Sequence, residues 1–130
     1  MTSIEPELWV DHPADAVAFY ERAFGASVLH RVGEDDDIVV QLAVGGARFW
    51  VAPASPDMRR LDPKVAHGRT SRTLLIVDDP DDVAARAIAS GAEETSPAGD
   101  EHGWRIARII DPYGQEWEVG KPLGAWPVSG

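Results

Sequence analysis

The chain repeats itself. Val10-Asp11-His12-Pro13-Ala14-Asp15 matches Val77-Asp78-Asp79-Pro80-Asp81-Asp82 at an offset of 67, and Gly25-Ala26 matches Gly91-Ala92 at an offset of 66. A repeat of this period constrains the fold more than any composition does, because each copy must be the same supersecondary unit. Both copies read as a short strand, a helix and about three further strands. A four-stranded sheet with one helix cannot close on itself. Two copies can pair, with helices outside, and enclose a groove between the sheets.

The helices are legible from period and caps. Residues 13–24 put Val17, Tyr20 and Phe24 on one face with Ala16 and Ala23 beside them, and residues 80–90 do the same with Val83, Ala87 and Ile88. Proline suits both helix starts, where its missing N–H costs nothing. Asp79 stands where a cap is needed, and Asp82 and Asp15 lie in first turns where the dipole favours an anion. The strand-like runs are Glu7–Val10, Ser27–Arg31, Ile38–Val44, Ala47–Ala52, Arg72–Val77, Glu93–Thr95, Trp104–Ile110 and Glu116–Val119. Gly45-Gly46 and Asp111-Pro112-Tyr113-Gly114 read as hairpin turns. The expected organisation is one domain over 1–130: module one about 5–53, a Pro/Asp/Ser/Gly-rich linker about 54–70, module two about 71–120, and an irregular tail 121–130.

Composition excludes several functions. With no cysteine there is no disulfide scaffold, thiolate metal site or cysteine nucleophile. Twelve Lys and Arg against 22 Asp and Glu give a net charge of −10, which repels phosphate backbones, so no nucleic-acid partner is expected. An acidic surface instead draws cationic ligands. No apolar run approaches the roughly 20 residues that span a bilayer, and the start MTSIEPELW lacks the pattern of a secretory signal. The expectation is a soluble cytoplasmic protein with no membrane partner. Gly-x-Ser-x-Gly, a phosphate-cradling loop before a helix and His-Glu-x-x-His are all absent from the sequence.

Five segments then carry a resemblance. They are Ala18-Phe19-Tyr20-Glu21-Arg22-Ala23-Phe24-Gly25-Ala26, Leu42-Ala43-Val44-Gly45-Gly46-Ala47-Arg48, Val77-Asp78-Asp79, Arg86-Ala87 with Gly91-Ala92, and Asp111-Pro112-Tyr113-Gly114-Gln115-Glu116-Trp117. In this order and spacing the chain resembles the vicinal oxygen chelate superfamily of glyoxalases, bleomycin-resistance proteins and extradiol dioxygenases, and within it the PhnB-like branch. The resemblance implies an α+β fold of two βαβββ modules, forming an open-barrel-like pair of curved sheets with helices outside. It also implies a homodimer, which would cover sheet edges.

In the enzymes of that superfamily, one residue from each of four strands holds a divalent metal. Here the last strand carries Glu118 at the matching position and the first offers Glu5 or Glu7. Arg72 stands where a His is expected, and Phe49-Trp50-Val51 offers no carboxylate. No cofactor is therefore favoured. A divalent metal (Ni, Zn, Fe or Mn) would need an altered set such as Glu7, His67 and Glu118. His12, His30 and His102 read as surface or packing residues.

Five tryptophans, Trp9, Trp50, Trp104, Trp117 and Trp126, are many for 130 residues, and four fall on expected strands. They read either as core and interface packing or as flat walls of a ligand groove. Arg72 and Arg105 offer positive points for an anionic group, or surface ion pairs. Gln41 interrupts an apolar strand. The candidate ligand-binding set is Trp9, Gln41, Trp50, Arg72, Trp104, Arg105, Trp117 and Glu118. An ion pair of Glu118 with Arg72 is expected in the place of the metal. Two functions remain open: a metal-free protein binding a small cationic or aromatic molecule between the sheets, or a metal-dependent lyase, isomerase or dioxygenase acting on vicinal oxygens.

Overall fold

The computed structural model describes residues 1–126. The first module runs β1 (Glu7–Val10), α1 (Pro13–Phe24), β2 (Ser27–Glu34), β3 (Asp37–Val44) and β4 (Ala47–Pro53). After a 3₁₀ turn at Pro56–Met58 and a one-turn helix α2 (Pro63–Ala66), the second module runs β5 (Thr73–Ile76), α3 (Pro80–Ala89), β6 (Glu93–Glu101), β7 (Trp104–Ile110) and β8 (Glu116–Pro122). Each module forms its own four-stranded sheet, in the orders β1-β4-β3-β2 and β5-β8-β7-β6. The first strand of each pairs in parallel with the last, and the hairpins are antiparallel. This is the duplicated α+β arrangement expected from the repeat, with no closed barrel.

Local chemistry explains the elements. In β3, Ile38, Val40 and Leu42 alternate with more exposed residues and are fully buried, as period two requires of a strand covered on one face. α1 buries Ala16, Val17, Phe19, Tyr20, Ala23 and Phe24 and ends at Gly25, whose left-handed conformation (φ 68°) lets its N–H reach the Glu21 carbonyl. Asp79 caps α3 by accepting from the Asp82 N–H at 3.1 Å.

The modules meet chiefly through α1 and α3. Tyr20 and Phe24 of α1 pack against Trp117 of β8, at centroid distances of 5.5 and 4.8 Å. The Tyr20 hydroxyl donates to Asp111 Oδ2 at 2.5 Å, and Trp117 Nε1 donates to the same oxygen at 2.9 Å. Asp111 Oδ1 accepts from the backbone N–H groups of Tyr113 and Gln115. The Asp-Pro-Tyr-Gly turn thus carries a buried carboxylate that bonds the two modules. Burial pushes the Asp111 carboxyl up, against the pull of its four donors.

Several boundaries differ from the sequence expectation. β2 runs on to Glu34 and β6 to Glu101. β6 is an edge strand with two register shifts, so it tolerates Pro97, which a central strand would not. β8 continues to Pro122, so strand structure enters the segment expected to be an irregular tail. Residues 127–130 of that tail lie outside the described residues. The linker also holds structure: Ser55 and Arg60 exchange backbone bonds of 2.8 and 2.9 Å, and buried Asp62 caps α2 through the Lys64 and Val65 N–H groups.

Candidate functional site

Because the helices cover one face of each sheet, strand alternation aims the remaining side chains at the other face. On the first sheet, the row Glu7, Trp50, Gln41 and His30 crosses β1, β4, β3 and β2 in register. Glu5 lies just before β1. Its Oε1 accepts from Gln41 Nε2 at 2.7 Å and Trp50 Nε1 at 2.9 Å, and its Oε2 accepts from the Ser3 hydroxyl at 2.7 Å. Ser3 first, then Gln41 and Trp50, hold the Glu5 carboxyl below the usual range. Trp9 Nε1 donates to Glu7 Oε2 at 3.0 Å.

On the second sheet, the equivalent row is Leu74, Glu118, Arg108 and Ser96, across β5, β8, β7 and β6. Arg108 Nε donates to Glu118 Oε1 at 3.0 Å, and its two terminal nitrogens take both oxygens of Glu101 at 3.0 Å. The Glu101 carboxyl is held low by that guanidinium. Arg72, one residue before β5, comes within 3.4 Å of Glu118 Oε1 and 3.7 Å of Glu116, whose other oxygen lies 3.6 Å from Arg69. Sequence reasoning expected the Arg72–Glu118 contact but missed Arg108, the nearer partner.

The repeat offset makes these two clusters counterparts. Glu5 corresponds to Arg72. The ladders pair Glu7 with Trp50 and Leu74 with Glu118, and Trp50 with Gln41 and Glu118 with Arg108. Each module therefore holds one carboxylate between two nitrogen donors, on the first strand's side in module one and on the last strand in module two.

A cavity of about 280 Å³ opens on the second sheet, lined by Leu74, Ile76, Trp104, Ile106, Glu118, Gly120 and Trp126. The Trp104 and Trp126 rings meet edge to face at 4.9 Å. Leu74 and Ile76 are 55% and 58% exposed, unusual for aliphatic side chains in a strand. A Cβ at Gly120 would come into van der Waals contact, 3.4 Å, with the Trp104 ring and the Arg105 carbonyl.

The groove expected between the sheets differs from this cavity. Its lining residues come from module two and from Trp126 just after it, whereas a separate cavity of about 440 Å³ is walled by Glu7, Leu8 and Trp9 of module one, the linker and Gln115 of module two. Two candidates leave the set. Trp117 is 1% exposed and belongs to the aromatic core, since it neighbours Glu118 on a strand and must point the opposite way. Arg105 neighbours Trp104 and likewise turns to the helix side, pairing with Asp81 of α3 at 2.8 Å and with Asp100 at 3.2 Å. Trp9, Gln41 and Trp50 share the open face of the first sheet, apart from the second-module cavity.

The residues at the four ligand positions do not fit a metal. Glu5 already accepts from Ser3, Gln41 and Trp50, and Trp50 and Arg72 cannot ligate. Glu118 is engaged by guanidinium. Among the described residues no three His, Asp or Glu side chains converge, so Glu7, His67 and Glu118 form no group. His67 instead ends α2 in a left-handed conformation (φ 56°).

Comparison with known proteins agrees with this architecture. A Mycobacterium bovis protein, Mb0911c, is 31% identical over 127 residues, 93% of this chain and 84% of its own length. The crystal structure of TioX from Micromonospora sp. ML1 superposes with a TM-score of 0.69 at 27% identity, covering 98% of this chain and 100% of that one. TnmS3, an antibiotic binding protein from Streptomyces sp. CB03234, gives 0.70 at 21% identity, over 94% and 97% of the two chains. The sequence pattern of one family matches residues 3–119, and with the duplicated βαβββ fold it shows that the chain belongs to the Glyoxalase/Bleomycin resistance protein/Dioxygenase superfamily.

Proposed function

We propose that this protein binds a small, flat, largely apolar molecule on the open face of its second module, without a catalytic metal. The observation that carries the reading is the cavity walled by Leu74, Ile76, Trp104, Ile106 and Trp126. Ligand sites are mostly apolar and aromatic with few polar groups, and this one has a single charged side chain. The bonding at the ligand positions argues against the alternative, a metal-dependent lyase, isomerase or dioxygenase: Glu5 already accepts three bonds, and Glu118 is paired with guanidinium. TnmS3, which shares the fold, is described as antibiotic binding, and this reading extends that kind of role to the present chain. The first helix and the Asp-Pro-Tyr-Gly turn favour the PhnB-like branch, and the lack of cysteine suits the cytoplasm.

A second copy is part of the proposal. The first sheet presents Trp9 and Trp50, and the second presents an apolar cavity with Trp104, so each open face offers aromatic surface that a second copy could cover. A two-fold dimer would cover both and supply the cavity's missing wall. Titration with planar aromatic compounds, followed by tryptophan fluorescence, tests the binding reading. Quenching that is lost in Trp104→Ala supports it. Stoichiometric metal after purification without a histidine tag, with activity gained on adding Ni, Zn, Fe or Mn, would overturn it.

A further inference from the structure

Glu118 is 9% exposed and is the only charged side chain among the residues lining the second-module cavity. Its Oε1 carries both guanidinium contacts, the 3.0 Å bond from Arg108 and the 3.4 Å approach of Arg72. Among the described residues, Oε2 has no hydrogen-bond partner, yet it is not sealed from solvent. Glu118, with one carboxylate oxygen still free to accept, thus lines a pocket of indole and aliphatic walls. A ligand that fills the pocket displaces water from Oε2 and must return a donor, because an unpaired acceptor buried among apolar groups is costly.

The charges around it decide which donor. Glu118 already faces Arg108 and Arg72, and the remaining bonds of Arg108 go to Glu101. Its negative charge is countered. A ligand ammonium would lose its water in a cavity with no net negative charge to meet it, and a ligand carboxylate would confront Glu118 itself. A neutral O–H or N–H pays neither cost and makes a charge-assisted bond.

Resting on the binding reading above, we propose that this cavity selects aromatic molecules bearing a neutral hydrogen-bond donor, a phenol O–H or an aryl N–H, delivered to Oε2 of Glu118 with the ring held against Trp104 and Trp126. The walls are apolar on several sides, so the ring supplies most of the affinity and the donor supplies the selection.

The test uses four probes of one shape: 2-naphthol, 2-methoxynaphthalene, 2-naphthoate and 2-naphthylmethylammonium, titrated into the whole protein by calorimetry. The expected result is 2-naphthol binding about tenfold or more tighter than the methoxy analogue, the margin of a hydrogen bond to a charged acceptor. In Glu118→Gln that advantage should shrink to within about threefold while methoxynaphthalene binding stays, and in Trp104→Ala all four should weaken together. Melting curves of both variants check that each is folded. Equal binding of naphthol and its methyl ether overturns the donor rule and leaves aromatic binding standing. Preference for the naphthoate or the ammonium overturns it in favour of Arg72 or Glu118 as a charge partner. Failure of all four probes removes the binding reading as well.

Discussion

Tyr20→Phe deletes one oxygen and almost nothing else. That oxygen is the α1 end of the bond to Asp111, and Asp111 is 3% exposed. The carboxylate keeps Trp117 Nε1 and two backbone N–H groups but loses its shortest bond. A hydrogen bond to a charged group contributes about 1.5–3 kcal/mol, so a loss of about 2 kcal/mol is expected. Unfolding entropy near the midpoint is about 2.1 cal/mol/K per residue, or roughly 0.27 kcal/mol/K for 130 residues, which converts the loss to a fall in Tm of about 7 °C. The pH dependence is a sharper check. Burial raises the folded-state Asp111 carboxyl above its unfolded value, so the native state binds the extra proton, and stability from this group falls as pH rises through the window between the two values. Removing Tyr20's hydroxyl removes a bond that lowers that value, so the variant's carboxyl moves higher still. The gap between wild type and Tyr20→Phe should therefore be widest where Asp111 is ionised in both and shrink as the pH falls and Asp111 becomes protonated in both. Scanning calorimetry over a pH series reads it. A gap below about 1 °C, or one that widens in acid, would refute the account of this bond as the tie between the modules.

Glu118→Ala leaves Arg108 and Arg72 without their shared carboxylate. Breaking a buried pair from one side costs about 3–5 kcal/mol; with Arg108 26% and Arg72 43% exposed, the expected loss is nearer 1–3 kcal/mol, by denaturant melts and unchanged by chelator, whereas chelator alone should leave wild type alone. Gly33→Ala should cost about 2 kcal/mol or more, since Gly33 sits at φ 87° and a Cβ would run into the Asp37 carbonyl across the β2–β3 hairpin; an unchanged Tm contradicts the hairpin register. Asp62→Ala removes the α2 cap and should cost about 1 kcal/mol, with limited proteolysis between residues 54 and 70 accelerating before the rest of the chain.

The duplication was legible because both helices carry strong local signals, proline starts and glycine ends, at matching offsets. β6 beyond Thr95 was not, because Pro97 and Gly99 read as a loop and only an edge position makes them tolerable. Part of the site was recoverable from parity alone. Trp104, Ile106 and Arg108 must share a face, and so must Glu116 and Glu118. Counting outward from the Asp111–Gly114 turn pairs Ile110 with Glu116 and hence Arg108 with Glu118. Parity also separates Trp117 from Glu118. The Tyr20–Asp111 bond had no such signal, because 91 residues separate its ends and it depends on how the modules dock.

The two carboxylate clusters show two ways of holding a carboxylate at counterpart positions of the repeat. A carboxylate drawn out of water needs donors, since its unpaired charge is costly. In module one the donors are neutral: Gln41 and Trp50 around Glu5, which leaves that face with its negative charge. In module two they are guanidiniums, Arg108 and Arg72 around Glu118, and Arg108 brings a second carboxylate, Glu101, to restore balance. Neutral donors preserve an anionic face, whereas cationic donors neutralise theirs and leave an apolar cavity beside it. The repeat has thus diverged in charge while keeping its ladders. That divergence leaves the second module's cavity with one charged side chain, itself paired with guanidinium, and the first module's face with a carboxylate held by neutral donors.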